Sequence, residues 1–400
     1  MTISHPKRRL TRRHFLIGAG AVAGVGLLPA AWTWVSRFGV RPLALKVGLL
    51  TPNATSYPNL GDRVLAGIQA AKHPWIASLD VQSADIDVGF GKAMQQSQAL
   101  LENANVDLVV AYVNTTVAAR LQPLFENAKR PLIVLDSGAN IVRAEQHSPF
   151  VYYNSLALWQ SSYAAGRRLV EQHGPRVFIA TAFFDSGYDS LNAVRQGVVD
   201  AGGEVVETYV THLDPARNGV ADAIEALRAM NPQSIYAHYS GKAASEFLSA
   251  YIDAGLTTAL PLAGSGFMAE GSARDALGDR AAGFTTTLGW AADPTYAVEA
   301  VRYDPFAALG HDTVQFIGAA VEAAGEPAHW GDLSIQAPMT GARGPLALDA
   351  AHVLTGPITW RDSRRVYGML ANLAVEALLL PEAPAIPEMA SSWLNPYLCG

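Results

Sequence analysis

Two short loops carry the side chains best suited to grip a small molecule. One is Tyr112-Val113-Asn114-Thr115-Thr116 and the other is Asp136-Ser137-Gly138-Ala139-Asn140. Each follows a short apolar run, Leu108 to Val110 in the first case and Pro131 to Leu135 in the second, with a helical pattern ending near Lys129 between them. Consecutive parallel strands that end in such loops bring them side by side at the carboxyl edge of a sheet, where open α/β folds bind ligands. The hydroxyls of Thr115, Thr116 and Ser137 and the amide of Asn140 offer uncharged hydrogen bonds. The free backbone N–H groups that open the intervening helix suit a carboxylate or a carbonyl oxygen. A purely local reading of the same residues, as helix caps and turn formers, stays open. The chain contains no H-E-x-x-H, G-x-S-x-G or Walker pattern, so holding is expected ahead of bond-making, and an enzyme stays a third reading because α/β clefts also host catalysis and a fold does not fix function. Its one cysteine, Cys399, allows no intramolecular disulfide and no cysteine-built zinc site.

A scaffold large enough for two lobes must position these loops. The 400 residues exceed one compact core on a prior of ~100–200 residues per domain. Half of them are hydrophobic and 16% are charged, the balance of a well-buried globular chain. Residues 1–38 hold six Lys/Arg and no acid, which leaves 23 basic against 35 acidic residues in the rest. Such a body lacks the basic footprint that nucleic-acid binding needs.

The basic N-terminus has its own signature. Thr11-Arg12-Arg13-His14-Phe15-Leu16 resembles the twin-arginine export motif, and the 21 residues from Phe15 to Val35 carry no charge and include four glycines. Residues 1–38 are therefore expected to be a signal segment read by the twin-arginine export machinery through Arg12 and Arg13. Pro29-Ala30-Ala31 offers small residues for cleavage. If uncleaved, a run of this length is an anchor, because ~20 apolar residues span a bilayer.

From Leu43 onward, apolar runs alternate with amphipathic helical patterns, the signature of parallel sheets wrapped by helices. Leu45 to Leu50 reads as the first strand, and helices follow at 60–71 and 92–104, the second with Ala93, Ser97, Leu100, Leu101 and Ala104 on one face. With the two loop-bearing strands, the first series has the order βαβαβαβ. Phe150 to Asn154 reads as a crossing strand. A second series then runs through helices at 158–173, 190–201, around Val220, Ile224 and Leu227, and at 243–254, interleaved with strands at 176–182, 204–210, 234–238 and 260–263. Phe284 to Leu288 crosses back, 304–324 forms a long helix, and strand-like pieces at 345–348 and 366–370 precede a proline-rich end. The fold class expected is α/β, with two doubly wound lobes built on parallel sheets.

Several local patterns, in the right order, resemble one family. Lys46-Val47-Gly48-Leu49-Leu50-Thr51-Pro52 with Leu60-Gly61 and Ala66-Gly67 is similar to the opening strand, loop and helix of the type I periplasmic solute-binding proteins. The branched-chain amino-acid and amide binding group, which serves ATP-driven importers, is the nearest in pattern. Thr115-Thr116 with Pro123 matches its paired hydroxyls and following proline, and Ala139-Asn140 stands where it usually has Ala-Thr. Asp185-Ser186-Gly187-Tyr188 is similar to its Asp-x-x-Tyr-Gly stretch with the last two residues exchanged, and Gly310-His311-Asp312 sits where it has Gly-Tyr-Asp. The resemblance covers roughly 43–370.

The resemblance implies a Venus-flytrap in which three crossovers join two lobes that clamp a small molecule. The first lobe is expected from 43–153 plus 288–343, the second from 154–287 plus 344–385, and a tail from 386–400. Ser56, Tyr57, Thr115, Thr116, Ala139 and Asn140 would line the first lobe's side of the pocket, and Asp185, Tyr188, His238, Tyr239, Ser240 and Ser265 the second's. Trp159 and Trp290 read as core or lobe-interface residues, and His311 as a structural histidine. The implied function is non-catalytic delivery of a small polar solute to a membrane permease of an ABC importer, in the periplasm and without a cofactor or metal. A ligand-sensing subunit for a membrane receptor is the alternative. Relatives that bind α-amino acids hold the ammonium with an acidic residue of the second lobe. This chain has Gly264-Ser265-Gly266 at the aligned position, with Asp136 and Asp185 as the only substitutes considered. An organic acid, amide or similar polar solute is therefore expected rather than a zwitterionic amino acid, because an ammonium enclosed without a carboxylate loses hydration at a cost of several kcal/mol.

Overall fold

The apolar runs become buried strands of two sheets in the computed structural model, which describes residues 41–378 apart from 54–58, 88, 143–146 and 213. The leader, with Arg12 and Arg13, and the tail after Leu378 lie outside the described residues. The first lobe contains β1 (Leu43–Pro52), α1 (Leu60–Ala70), β2 (Ile76–Ile86), α2 (Phe90–Glu102), β3 (Leu108–Tyr112), α3 (Thr115–Ala128), β4 (Leu132–Asp136) and β5 (Val151–Ser155). The second contains α4 (Leu158–His173), β6 (Arg176–Ala182), α5 (Asp189–Asp200), β7 (Glu204–Thr211), α6 (Val220–Met230), β8 (Ser234–His238), α7 (Gly241–Asp253), β9 (Leu262–Gly264), α8 (Gly271–Leu277) and β10 (Thr285–Leu288). The long α9 (Pro305–Ala324) returns to the first lobe, followed by β11 (Met339–Gly341), β12 (Gly344–Leu348), β13 (Val353–Thr355), β14 (Ile358–Val366) and β15 (Met369–Leu378).

The first sheet has the order β11-β12-β13-β5-β4-β3-β1-β2 and the second β15-β14-β10-β9-β8-β6-β7. From β13 to β2, and from β10 to β7, the strands run parallel; only β11, β12, β14 and β15 are antiparallel additions. Central strands such as β3 and β4 are apolar up to their last residues, Tyr112 and Asp136, because helices cover both faces. The ends of β3, β4, β6, β8 and β9 or the loops that follow them deliver residues to the space between the lobes.

Three expectations are corrected. Strands β12 and β13 belong to the first sheet, where Val353 and Leu354 pair with Tyr153 and Asn154, so the last crossover lies at 356–357 and not after 343. The burial of His352 against Tyr152, ring centroids 4.7 Å apart, fixes that return. The piece at 366–370 is a hairpin tip rather than a strand: Tyr367 and Gly368 both have positive φ, the backbone that matches a tight turn to the twist of its strands. The strand required between the first two helices is β2, an edge strand whose polar sequence hides its alternation.

The return helix is seated by the absence of side chains. A Cβ on Gly67 would lie 1.9 Å from the carbonyl oxygen of Ala307, and one on Gly310 would lie 2.1 Å from that of Val64. Helices α1 and α9 thus cross with their backbones in contact. At the crossovers, Arg343 donates from Nε to Asp312 Oδ2 at 2.7 Å and from its terminal nitrogens to Asn154 and to the carbonyl of Ser155. Asn154 in turn donates to Leu309 O and Thr313 Oγ1, both at 3.1 Å.

Candidate ligand-binding cleft

A cavity of about 450 Å³ lies between the lobes. On the first-lobe side it is lined by Leu60 and Arg63 of α1, Tyr112 at the end of β3, Ser137 and Ala139 after β4, and Pro305 and Phe306 at the start of α9. The second lobe adds Asp185 and Tyr188 after β6, the run from His238 to Gly241 after β8, and Ser265, Phe267 and Glu270 after β9. Of the residues expected from sequence, Ala139, Asp185, Tyr188, His238, Tyr239, Ser240 and Ser265 meet around this space.

Other expected residues do not. Thr115 is buried at the first position of α3 and Thr116 is half-buried; neither lines the cavity. The helix is capped by Asn114, whose side chain accepts from Val117 N–H at 2.8 Å. Asn140 fastens the lobes together, since its Oδ1 accepts from Asp189 N–H at 3.1 Å while Ser190 N–H donates to Ala139 O at 2.8 Å. Asp136 accepts from Gly138 N–H at 2.9 Å, and burial pushes its carboxyl up to about 7. Ser56 and Tyr57 lie outside the described residues. Trp159 and Trp290 are buried away from the cavity, as is His311 against Asp312.

Each cavity group is set by its neighbours. Asp185 accepts from Ser240 twice, through the backbone N–H at 3.1 Å and the hydroxyl at 3.0 Å, and so holds the start of α7 rather than of the helix that follows it in sequence. Burial raises its carboxyl to about 6, and the two Ser240 bonds offset only part of that. His238 is buried, which lowers its imidazole to about 4 and keeps it neutral. Its Nε2 stands 3.4 Å from Ser190 Oγ and its Nδ1 3.5 Å from Tyr236 OH, which itself meets Ser162 Oγ at 2.8 Å. Ser265 donates to Tyr239 O at 3.2 Å.

Among the lining residues that sequence reasoning missed, Arg63, Phe267, Glu270 and Phe306 carry the charge and the rings. Arg63 pairs through Nε with Asp304 at 2.5 Å and lies 4.5 Å over the ring of Phe306. Phe306 meets Tyr112 edge-on at 5.8 Å and is stacked with Phe267, of the other lobe, at 6.1 Å. Glu270 brings to the second-lobe wall, five residues beyond Ser265, an acid in addition to Asp185. Its Oε1 is held by Arg361 at 3.0 Å and by Asn372 at 2.8 Å. Helical spacing marks none of these, because all but Arg63 stand in loops or at helix starts. Among the described residues no group of three or more His, Cys, Asp or Glu is placed to hold a metal ion.

The arrangement resembles known proteins on several measures. The family profile described as "Periplasmic binding protein" matches residues 44–364. A Leu/Ile/Val-binding protein homolog 6 from Brucella abortus (strain 2308) is 27% identical over 259 residues. That match spans 62% of this chain and 64% of the relative's length. Among solved structures, a solute-binding protein of an ABC transporter from R. palustris, in complex with benzoate, is 25% identical with a TM-score of 0.68, over 85% of this chain and 99% of that one. An ABC transporter substrate-binding protein from Sphaerobacter thermophilus superposes with a TM-score of 0.73 at 20% identity, over 84% of this chain and 98% of that one.

Proposed function

The chain belongs to the periplasmic binding protein family, and from that premise we propose that it is the extracytoplasmic substrate-binding component of an ABC importer for a small aromatic carboxylic acid. The observation that carries this reading is the aromatic lining of the cavity, with Tyr112 and Phe306 on one lobe and Phe267 on the other. Flat apolar walls with a few placed polar groups are how small-molecule sites bury a ring while orienting its substituent. Arg63 supplies the cation: only its Nε is engaged by Asp304 among the described residues, which leaves the terminal nitrogens for a carboxylate. Ser137 adds a hydroxyl to the same lining. The benzoate held by the R. palustris relative is a solute of this class.

The protein would turn nothing over, pass its solute to a membrane permease, and reach the periplasm by the twin-arginine route. Calorimetric titration of the mature protein with benzoate, a hydroxybenzoate, benzamide, an aliphatic carboxylate and leucine tests the reading. Micromolar or tighter binding of the aromatic acids, recovered unchanged, is expected. Tight binding of leucine with no heat from any carboxylate would overturn it.

A further inference from the structure

Glu270 lines the cavity, yet its charge is cancelled from behind by a residue that does not line it. Its side chain is 9% exposed, while Arg361, in the middle of β14, is fully buried. Arg361 Nη1 donates to Glu270 Oε1 at 3.0 Å and to Trp290 O at 3.2 Å, and Nη2 donates to Gly266 O at 2.6 Å. Asn372 of β15 donates to the same carboxylate oxygen at 2.8 Å and to Ala269 O at 2.9 Å, and accepts from Ser363 Oγ at 2.5 Å. The other nearby cation, Arg274, is no substitute. Its Nη1 is 3.8 Å from Glu270 Oε2, its side chain is one-quarter exposed, and Asp275 stands 3.6 Å from its Nε.

Burying a guanidinium is unfavourable, and an apolar pair of similar volume is often at least as stable as a buried ion pair. Stapling the 265–272 loop does not by itself call for a charge on either partner. A charge matters at this place because one of the two partners faces the solute. We propose that Arg361 is a specificity-determining residue: by cancelling Glu270 it leaves Asp185 as the uncompensated carboxylate of the second-lobe wall and withholds Glu270 from an ammonium group, which favours an anionic or neutral solute. The inference rests on the reading of the cavity as a carboxylate-binding cleft.

Titration of benzoate and leucine into wild-type protein, Arg361→Met, Glu270→Gln and the double variant tests it. Arg361→Met bares a carboxylate in the wall of the cavity proposed to hold the anion. Benzoate should weaken by about tenfold or more, and leucine should gain, as expected for charges within one cavity in a medium of intermediate dielectric. The double variant removes both charges and should return both affinities to near the wild-type values. A merely structural arginine would weaken both ligands alike and would not be rescued by the second substitution; that pattern overturns the inference. Should Arg361→Met fail to fold by thermal melting, Glu270→Gln decides alone. It frees a cation behind the wall, so benzoate should bind more tightly and with a steeper dependence on salt, and unchanged benzoate binding would overturn the inference. Wild-type protein that binds leucine and no carboxylate would instead remove the reading of the cleft, and this inference with it.

Discussion

Asp185 is the cavity residue whose state the surroundings alter most usefully. Its folded carboxyl, raised to about 6 by burial, binds a proton more tightly than the unfolded one at 3.8. Its contribution to stability is therefore complete below the unfolded value and is lost as pH rises through about 6. Asp185→Asn should melt higher than wild type at pH 8 and show a smaller gap at pH 5. The same proton governs binding: benzoate should bind several-fold more tightly at pH 5 than at pH 7.5, and the substitution should flatten that profile, as calorimetry at the two values would show. His238 works in the opposite sense, because an imidazole lowered to about 4 stabilises above its ordinary 6.5 and loses that contribution as pH falls through about 4. At the N-terminus, Arg12→Lys with Arg13→Lys should abolish export if the pair is read by guanidinium geometry, and undiminished periplasmic protein would refute it. Residue-level legibility was uneven for a physical reason. His238, Tyr239, Ser240 and Ser265 line the cavity as expected from sequence because each stands at or just after the end of a strand. Arg63 and Phe306 were not expected, because a cation and a ring near helix starts carry no periodic signal.

At the scale of elements, a buried cluster around Arg343 ties α9, the end of β5 and the turn between β11 and β12 into one body within the first lobe. Arg343 and Asp312 are almost wholly buried and hydrogen-bonded to each other and to Asn154 and the backbone of 155. Removing one partner leaves the other charge uncompensated, so Arg343→Met should cost ~3–5 kcal/mol of stability, read as a fall in the denaturant midpoint at unchanged slope. A midpoint within error of wild type would show that Asp312 finds other partners. Most elements were legible because long apolar or 3.6-periodic runs define them, as in β3, β4 and α9. The errors fell where that signal fails. Strand β2 is polar at an edge, and the hairpin at Tyr367 and Gly368 lies in a segment whose apolar residues continue through the turn. Strands β12 and β13 are short, and only their pairing with each other and with β5 assigns them to the first lobe.

For the whole molecule, the proposed function makes binding and closure one equilibrium, and this structure has the lobes in contact. Phe267 of the second lobe stacks on Phe306 of the first, and Arg63 lies against the far ring. The backbone bond from Ser190 to Ala139 and the amide bond of Asn140 join the same two bodies. An aromatic pair adds ~0.5–1.5 kcal/mol beyond its area, so this contact favours the closed arrangement even before a solute enters. A solute that binds only that arrangement then has less to offset. Phe267→Ala should therefore expand the ligand-free protein, measured as a larger radius of gyration by small-angle scattering, and weaken benzoate by about two- to ten-fold through that population alone. Saturating benzoate should bring the variant back to the wild-type radius and raise its melting temperature. The ligand-free radius separates this mechanism from simple loss of a wall, because a ring that only touched the solute would leave the empty protein unchanged. An unaltered radius with weakened binding would show that Phe267 acts on the solute and not on the hinge.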